Sequence, residues 1–290
     1  KAWKDELSRD ESLKLARDAV AAGIPYAAFG GGEPLAVKHI WDVLRILVEG
    51  GTELKLETNG LPIGEKEADL LAEWKAQCIQ ISVDGATKKV HETVRPDGDF
   101  VGAIASISRL VRRGLKPEFV FVPNKLNAHE AVDAYRLAAD LGCRTFVTGP
   151  MMRLGRAALS YRRLGLHDSE WADVESALKA EAARQDEKVK LAIYPWDIRT
   201  EMLKRLDSPQ AMMLVVPNGR AKLLNALPFA PADLRKHTLL EAWELYKSAW
   251  RSDEVRDFVH RAQTDDGLLL HANETWAPGE WDQRRKFLNK

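Results

Sequence analysis

Two spacings of apolar residues alternate along the first 150 residues of the chain. Residues 10–22 place Leu13, Ala16 and Val20 about one helical turn apart, which predicts an amphipathic helix. Residues 119–122 form a short run that is apolar at every position, as expected of a strand buried on both faces of a parallel sheet. The two patterns repeat about every 25–35 residues, which is the length of a βαβ unit.

The pattern predicts strands at residues 25–29, 53–57, 78–83, 119–122, 145–148 and 188–194. It predicts helices at residues 10–22, 36–49, 64–75, 99–114, 127–141, 168–184 and 197–207. The pattern opens on a helix, whereas a parallel barrel is normally entered by a strand. We therefore predict an α/β fold, a partial (β/α)6 parallel barrel that lacks its first strand in this chain.

The composition of the chain and the spacing of its apolar residues change after residue 150. Residues 151–166 are rich in Arg and Gly, which predicts a long loop or a broken helix. Asn218 and Gly219 lie between two apolar runs, a pattern typical of a β-hairpin, and helices are predicted at 238–249 and 251–262. We therefore divide the chain into a barrel core, 1–207, and a small C-terminal α+β extension, 208–290.

Composition narrows the classes of function. Lys plus Arg and Asp plus Glu both number 43, and this zero formal charge argues against a nucleic-acid partner or an anionic membrane surface. No apolar run approaches the roughly 20 residues of a membrane helix, and the first residues lack the apolar core of a signal peptide. The two cysteines have no metal-ligand spacing and are typical of buried thiols, so we predict a cytoplasmic protein.

Small and polar residues follow the first two predicted strands. Residues 30–34 read Gly-Gly-Gly-Glu-Pro, and such glycines let the backbone approach a ligand while Glu33 offers a carboxylate to an ammonium group. Residues 57–60 read Glu-Thr-Asn-Gly, where polar side chains would face the mouth of a barrel. A tight turn without a ligand explains the first motif and an Asx-type turn explains the second, so both interpretations stay open.

The next two strands end in the same way. Ser82 and Asp84 could bind ribose hydroxyls, and Arg95 could hold a carboxylate through a two-pronged contact. Asn127 and Glu130 follow the fourth strand with the spacing of a helix capping box. Because the C-terminal ends of successive parallel strands meet at one mouth, we predict a shared binding site there.

Taken together, these motifs resemble those of the radical S-adenosylmethionine (radical SAM) enzymes over about residues 10–160. The family's Gly-Gly-Glu-Pro turn matches residues 31–34, its Thr-Asn-Gly matches 58–60, and its Ser-x-Asp-Gly followed by His and Arg matches 82–85, His91 and Arg95. The similarity is closest to the SPASM or twitch branch, which includes maturases of ribosomal peptides and the pyrroloquinoline quinone synthesis enzyme. Residues 216–220 resemble the start of the extension that this branch carries.

The resemblance implies an enzyme that uses S-adenosylmethionine and a 4Fe–4S cluster. A 5′-deoxyadenosyl radical would abstract hydrogen from a peptide or small-molecule substrate in a biosynthetic or maturation pathway. The implied partners are that substrate, a peptide-recognition partner protein and an electron donor such as flavodoxin or ferredoxin. The residues implied to bind the cofactor are Gly31, Gly32, Glu33, Thr58, Asn59, Ser82, Asp84, Arg95, Val122 and Leu154.

Specific roles also follow from the resemblance. The backbone around Gly31, Gly32 and Glu33 would hold the methionine amino group, and Ser82 would face the ribose or the carboxylate. Arg95 would pair with the methionine carboxylate, while Val122 and Leu154 would pack on the adenine.

The sequence departs from the family pattern at its cysteines. The family's Cys-x3-Cys-x2-Cys loop, which binds the cluster, has no match, and we expect it upstream of Lys1. The sequence therefore assigns no metal ligand and no catalytic residue. Two alternatives remain: a non-catalytic relative that binds a peptide or a partner, and an unrelated barrel lyase or isomerase.

Overall fold

The computed structural model describes residues 5–281, except for the side chains of residues 155 and 156. The described chain forms two compact units. The first, here called the sheet unit, comprises Gly23–Met151 and Arg163–Pro195, and the second, the hairpin unit, takes in the described residues before Gly23, Met152–Arg162 and those after Pro195. The continuous domains 1–207 and 208–290 stay a prediction.

The helices, in chain order, are α1 Arg9–Ala21, α2 Ile40–Glu49, α3 Glu65–Glu73, α4 Lys88–Val94, α5 Phe100–Arg112, α6 Ala131–Asp140, α7 Gly155–Leu164, α8 Asp168–Arg184, α9 Ile198–Asp207, α10 Leu239–Ala249 and α11 Asp253–Arg261. Short 3-10 turns lie at Pro34–Ala36, Ala128–Glu130 and Asp266–Asn273. No helix among the described residues is long and apolar enough to cross a membrane.

The sheet unit is built on one parallel sheet. Its strands are β1 Tyr26–Phe29, β2 Glu53–Thr58, β3 Cys78–Ser82, β4 Glu118–Phe121, β5 Thr145–Thr148 and β6 Lys190–Ile193. Each strand pairs in parallel with the next one along the chain. The predicted α/β class and the partial parallel barrel are confirmed, since helices connect the successive strands.

The helix-covered face of the sheet holds the core of this unit. Leu56 and Ile81 are fully buried there. Phe146 stacks on Phe119 with ring centroids 5.6 Å apart and meets the edge of Tyr135 from α6 at 5.5 Å. Aromatic contacts of this kind stabilise a core beyond the burial of their area, so they fix the packing of α6 on β4 and β5.

The opposite face of the sheet carries polar side chains, which the sequence pattern did not predict for strands buried on both faces. Along β2 the buried residues alternate with the more exposed Glu53, Lys55 and Glu57. Glu118 on β4 accepts hydrogen bonds from Gln80 at 2.9 Å and from Arg144 at 2.7 Å. This face of the sheet can therefore contact polar groups. In a parallel sheet that helices cover on both faces, by contrast, the strands are apolar at nearly every position.

The hairpin unit contains a small antiparallel sheet with β7 Leu214–Val215, β8 Arg220–Lys222 and β9 Ala232–Asp233. Gly219 turns β7 into β8 with a φ of +78°, a left-handed conformation that suits glycine, so the predicted hairpin is confirmed. Phe229 contacts Phe258, Trp276 and Trp281 edge-on, with ring centroids 4.9–5.6 Å apart. These rings form the core on which α10 and α11 are assembled.

Helices α7 and α4 differ from the sequence-based prediction. Residues 155–164, which the Arg- and Gly-rich composition predicted as a loop or a broken helix, form α7. Residues 88–94, for which no helix was predicted, form the short helix α4, whose first turn is capped by Thr87. The Thr87 hydroxyl accepts a hydrogen bond from the Val90 amide, a cap that compensates for the shortness of the helix.

Candidate functional site at the C-terminal edge of the sheet

The predicted site residues of the sheet unit lie where β1 to β4 end. Phe29 pairs with Leu56, Thr58 with Ile81, and Ser82 with Val120, so these strands end at one edge of the sheet. The edge carries the glycine turn (Gly30–Glu33), Thr58 and Asn59, Ser82 and Asp84, and Val122. The structure therefore brings together the motifs that the sequence placed at four successive strand ends.

Glu33 joins the ends of β1 and β2. Its carboxylate accepts hydrogen bonds from the Thr58 hydroxyl and the Asn59 amide, both at 2.7 Å, and from the Leu35 amide at 3.1 Å. Thr58 is buried, and its side chain lies on the helix-covered face. The Asn59 side chain accepts from the Leu61 amide at 2.9 Å and so forms an Asx turn. These side-chain contacts fix the shape of the two turns.

The glycine turn leaves open space above its backbone. A Cβ built on Gly31 or Gly32 meets no atom within 4 Å, and Gly31 has a φ of +106°. A Cβ on Gly30 instead lies 2.5 Å from Oε2 of Glu57, so a larger residue there would have to displace this flexible side chain. A cradle of exposed peptide groups beside a carboxylate fits the amino-acid portion of a small ligand.

Asp84 joins the ends of β3 and β4. Its Oδ2 accepts from Nε of Arg95 at 2.6 Å, and its Oδ1 accepts from the Val122 amide at 3.1 Å. The Asp84 amide donates to Nδ1 of the buried His91 at 3.1 Å. Burial lowers the pKa of His91, which favours the neutral imidazole that this acceptor role requires.

Ser82 and Leu154 differ in their surroundings. Ser82 lies on the polar face of β3, half-buried, and its hydroxyl has no hydrogen-bond partner among residues 5–281. Leu154 belongs to the hairpin unit, where it is partly buried against the apolar core that contains Met202. Its predicted contact with adenine stays a prediction.

Asn127 and Glu130 belong to the site, although the sequence pattern assigned them to a capping box. The Asn127 side chain makes no cap for the turn that it precedes. Its Nδ2 donates instead to the carbonyl oxygens of Asp84 and Val122, each at 3.1 Å. Glu130 accepts from the Ala86 amide at 2.7 Å. The capping-box interpretation is therefore wrong, because both side chains bind the loop after β3.

The described residues do not fit an iron–sulfur cluster. They include no group of three His, Cys, Asp or Glu side chains placed to hold a metal ion. The chain has two cysteines, Cys78 at the start of β3 and Cys143 just before β5, at the opposite edge of the sheet from the glycine turn. Burial raises the pKa of Cys143 to about 12, and burial together with Glu118 raises the pKa of Cys78. These are protonated thiols rather than metal ligands.

One edge of the parallel sheet thus carries a glycine turn after β1 and an Asp–Arg pair after β3. The sequence pattern of the radical SAM superfamily matches residues 2–155, and this chain belongs to that superfamily. S-adenosylmethionine is the cofactor that its members share, and a 4Fe–4S cluster is characteristic of them. Membership excludes the unrelated barrel lyase or isomerase.

Two curated relatives are maturases. The chain is 24% identical over 176 residues to the sporulation killing factor maturation protein SkfB of Bacillus subtilis (strain 168), covering 60% of this chain and 43% of that protein. It is 27% identical over 191 residues to the mycofactocin maturase MftC of Mycobacterium ulcerans, covering 66% of this chain and 47% of that protein. The chain thus spans less than half the length of either relative.

A solved structure shares the fold. SuiB of Streptococcus suis, crystallised with its precursor peptide SuiA, superimposes with a TM-score of 0.69 at 14% identity. The match covers 85% of this chain and 60% of SuiB. The likeness extends over most of both units and agrees with the predicted partial barrel.

Proposed function

We propose that this chain is the S-adenosylmethionine-binding part of a radical SAM enzyme that modifies a peptide in a maturation pathway. The observation that carries the proposal is the open glycine turn on the same sheet edge as Arg95. S-adenosylmethionine supplies a 5′-deoxyadenosyl group for radical chemistry when it is bound in such enzymes. The residues of this chain bind and orient it.

Charge and shape support this assignment. A Cβ built on Gly31 or Gly32 meets no atom within 4 Å, so there is room beside this backbone for the methionine amino group. Arg95 carries a positive charge at the next pair of strand ends and suits a carboxylate. The Ser82 hydroxyl can donate to the same carboxylate or to a ribose oxygen. Together these groups complement the charged amino-acid portion of the cofactor.

The names of the relatives support a peptide substrate. SkfB and MftC are both maturases, and the SuiB structure contains a precursor peptide. The polar face of the sheet, with Lys55, Glu57 and Gln80, can make hydrogen bonds to peptide groups and polar side chains. We therefore favour a peptide over an apolar small molecule.

The test uses the protein expressed from its complete coding sequence, reconstituted anaerobically with iron and sulfide, and reduced. We expect 5′-deoxyadenosine to form from S-adenosylmethionine, and we expect Arg95→Ala to slow its formation about tenfold or more by weakening cofactor binding. Arg251→Ala, which removes an exposed arginine of the hairpin unit, is the matched control and should match the wild type.

A second measurement addresses the substrate. Each short open reading frame beside the gene is co-expressed with the enzyme, and the mass of its peptide product is measured. A mass change in one peptide that depends on the enzyme supports the proposal. A reconstituted protein that forms no 5′-deoxyadenosine but binds such a peptide contradicts the proposal and favours the non-catalytic relative.

A further inference from the structure

We infer that Asp84 is a positioning residue: it fixes the Arg95 guanidinium and the end of β4, and it does not itself bind the cofactor. The inference rests on the proposed function, in which Arg95 holds the carboxylate of S-adenosylmethionine. This positioning role differs from the role expected from the sequence, in which the Asp84 carboxylate binds ribose hydroxyls.

The polar groups of Asp84 are all used within the protein. Its two carboxylate oxygens accept from Arg95 and Val122, and its amide donates to His91. Its carbonyl oxygen accepts from Asn127 at 3.1 Å. Asp84 is only 5% exposed, so its carboxylate presents little surface to a ribose, and exchanging one of these partners for a ribose would leave that partner unsatisfied. A buried donor left without an acceptor is unfavourable, which disfavours that exchange.

Arg95 keeps one side of its guanidinium for a ligand. Asp84 takes Nε, and among residues 5–281 the Arg95 side chain has no other hydrogen-bond or ion-pair partner. The Arg95 side chain is 38% exposed, whereas that of Asp84 is buried. A guanidinium has five donors in a planar fork, so a carboxylate ligand can bind the two terminal nitrogens while Nε stays on Asp84. Asp84 thereby fixes the plane of the Arg95 guanidinium group that a ligand carboxylate would meet.

A second carboxylate holds the loop on which Asp84 lies. Glu130 accepts from the Ala86 amide, the Thr87 amide and the Thr87 hydroxyl at 2.7, 3.1 and 2.7 Å. Asn127 is fully buried and also accepts from the Asn124 amide at 2.7 Å. These contacts tie the segment after β3 to the turn after β4. The segment that contains Asp84 is therefore fixed by contacts with the turn after β4. A residue that orients another side chain needs such support.

The experiment compares two ligands that differ in the amino-acid portion. S-adenosylhomocysteine carries the carboxylate, and 5′-deoxy-5′-methylthioadenosine has the same nucleoside and sulfur without it. Asp84→Asn keeps the size of the side chain but places an amide group against Arg95 Nε. We expect this variant to weaken binding of S-adenosylhomocysteine about tenfold and binding of methylthioadenosine less than about twofold, as measured by calorimetry.

A double-mutant cycle separates positioning from direct contact. If Asp84 acts through Arg95, the double variant Asp84→Asn/Arg95→Ala binds S-adenosylhomocysteine as weakly as Arg95→Ala alone. Additive losses, or an equal loss of affinity for methylthioadenosine, overturn the inference and leave the proposed function standing. Asp133→Asn, which changes an exposed carboxylate that pairs with Arg136, is the matched control and should leave both affinities unchanged.

A measurement on the unmutated protein keeps the inference testable if Asp84→Asn does not fold. The Nε–H resonance of Arg95 should be shifted downfield by Asp84, and it should stay there when S-adenosylhomocysteine is added. An upfield return of this resonance on binding would show that Asp84 leaves Arg95 for the ligand, which contradicts the inference. A wild-type protein that binds neither nucleoside overturns the proposed function itself.

Discussion

Glu33, Asp84 and Glu130 are three carboxylates at one edge of a sheet, and each is engaged by donors from a neighbouring strand end. Charge-assisted hydrogen bonds of this kind are about twice as strong as neutral ones, so the carboxylates stabilise the loops rather than offer free charge. What the edge presents to a ligand is therefore the glycine backbone, the Ser82 hydroxyl and the terminal nitrogens of Arg95.

Lys222 in β8 is a buried cation in the hairpin unit. It is 3% exposed, and its Nζ donates to the Ala272 carbonyl at 2.5 Å. Burial lowers its pKa to about 8, although the charge of Glu274 opposes the shift. The unfolded chain therefore binds more protons than the native protein between about pH 8 and 10.5, and stability should rise with pH across this window.

Lys222→Met should remove that pH dependence. From about pH 7 to pH 10, we expect the free energy of unfolding of the wild type to rise by about 2–3 kcal/mol relative to the variant. Urea unfolding at the two pH values measures the difference. Lys247→Met, which changes an exposed lysine paired with Glu244, is the control and should follow the wild type. Parallel pH profiles of the wild type and Lys222→Met would contradict a lowered pKa.

Sequence reasoning found the residue types of the site but not their partners. The positions of Gly31, Asp84 and Arg95 after predicted strands were enough to place them at one edge. The bond between Glu33 and Thr58 spans 25 residues and that between Glu130 and Thr87 spans 43. No local pattern encodes such pairs, so Glu130 was interpreted from its spacing to Asn127 as part of a capping box.

Two elements begin and end at the residues that the sequence pattern predicted. Helix α8 occupies Asp168–Arg184, as predicted, and β5 occupies Thr145–Thr148. Helix α7 was not predicted as a regular helix because Gly155 and Gly165 bracket the segment, although its Ala, Leu and Arg residues favour a helix. Helix α4 is too short for a periodic signal and depends on Thr87.

Thr148 in β5 allows the effect of an unpaired buried hydroxyl on stability to be measured. Thr148 is 3% exposed on the helix-covered face, and its hydroxyl has no hydrogen-bond partner within the described part of the chain. Thr148→Val replaces that hydroxyl with a methyl group of similar size and should stabilise the protein by about 1 kcal/mol in urea unfolding.

The matched variant is Thr52→Val, just before β2. The buried Thr52 hydroxyl donates to the Ile24 carbonyl at 2.9 Å, so its loss should destabilise the protein by about 1 kcal/mol. If both variants lose stability to the same extent, the Thr148 hydroxyl has a partner and the account of β5 is wrong.

At the scale of the whole molecule, the candidate site and the aromatic core lie in different units. The sheet unit carries the glycine turn, the Asp84–Arg95 pair and both cysteines, and the hairpin unit is held by an aromatic core without cysteine. Composition and strand repeats predicted the barrel class, because the order of a parallel sheet follows from short right-handed crossovers. The discontinuous make-up of the units was not predicted, since contacts between distant segments leave no trace in local sequence.

A crystal structure of this chain with S-adenosylmethionine tests the central claim most directly. We predict the methionine carboxylate on the terminal nitrogens of Arg95 and the amino group over the peptide groups of Gly31 to Glu33, with Asp84 still bonded to Nε of Arg95. A cofactor bound elsewhere on the chain, with the glycine turn and Arg95 free of contact, would contradict the account.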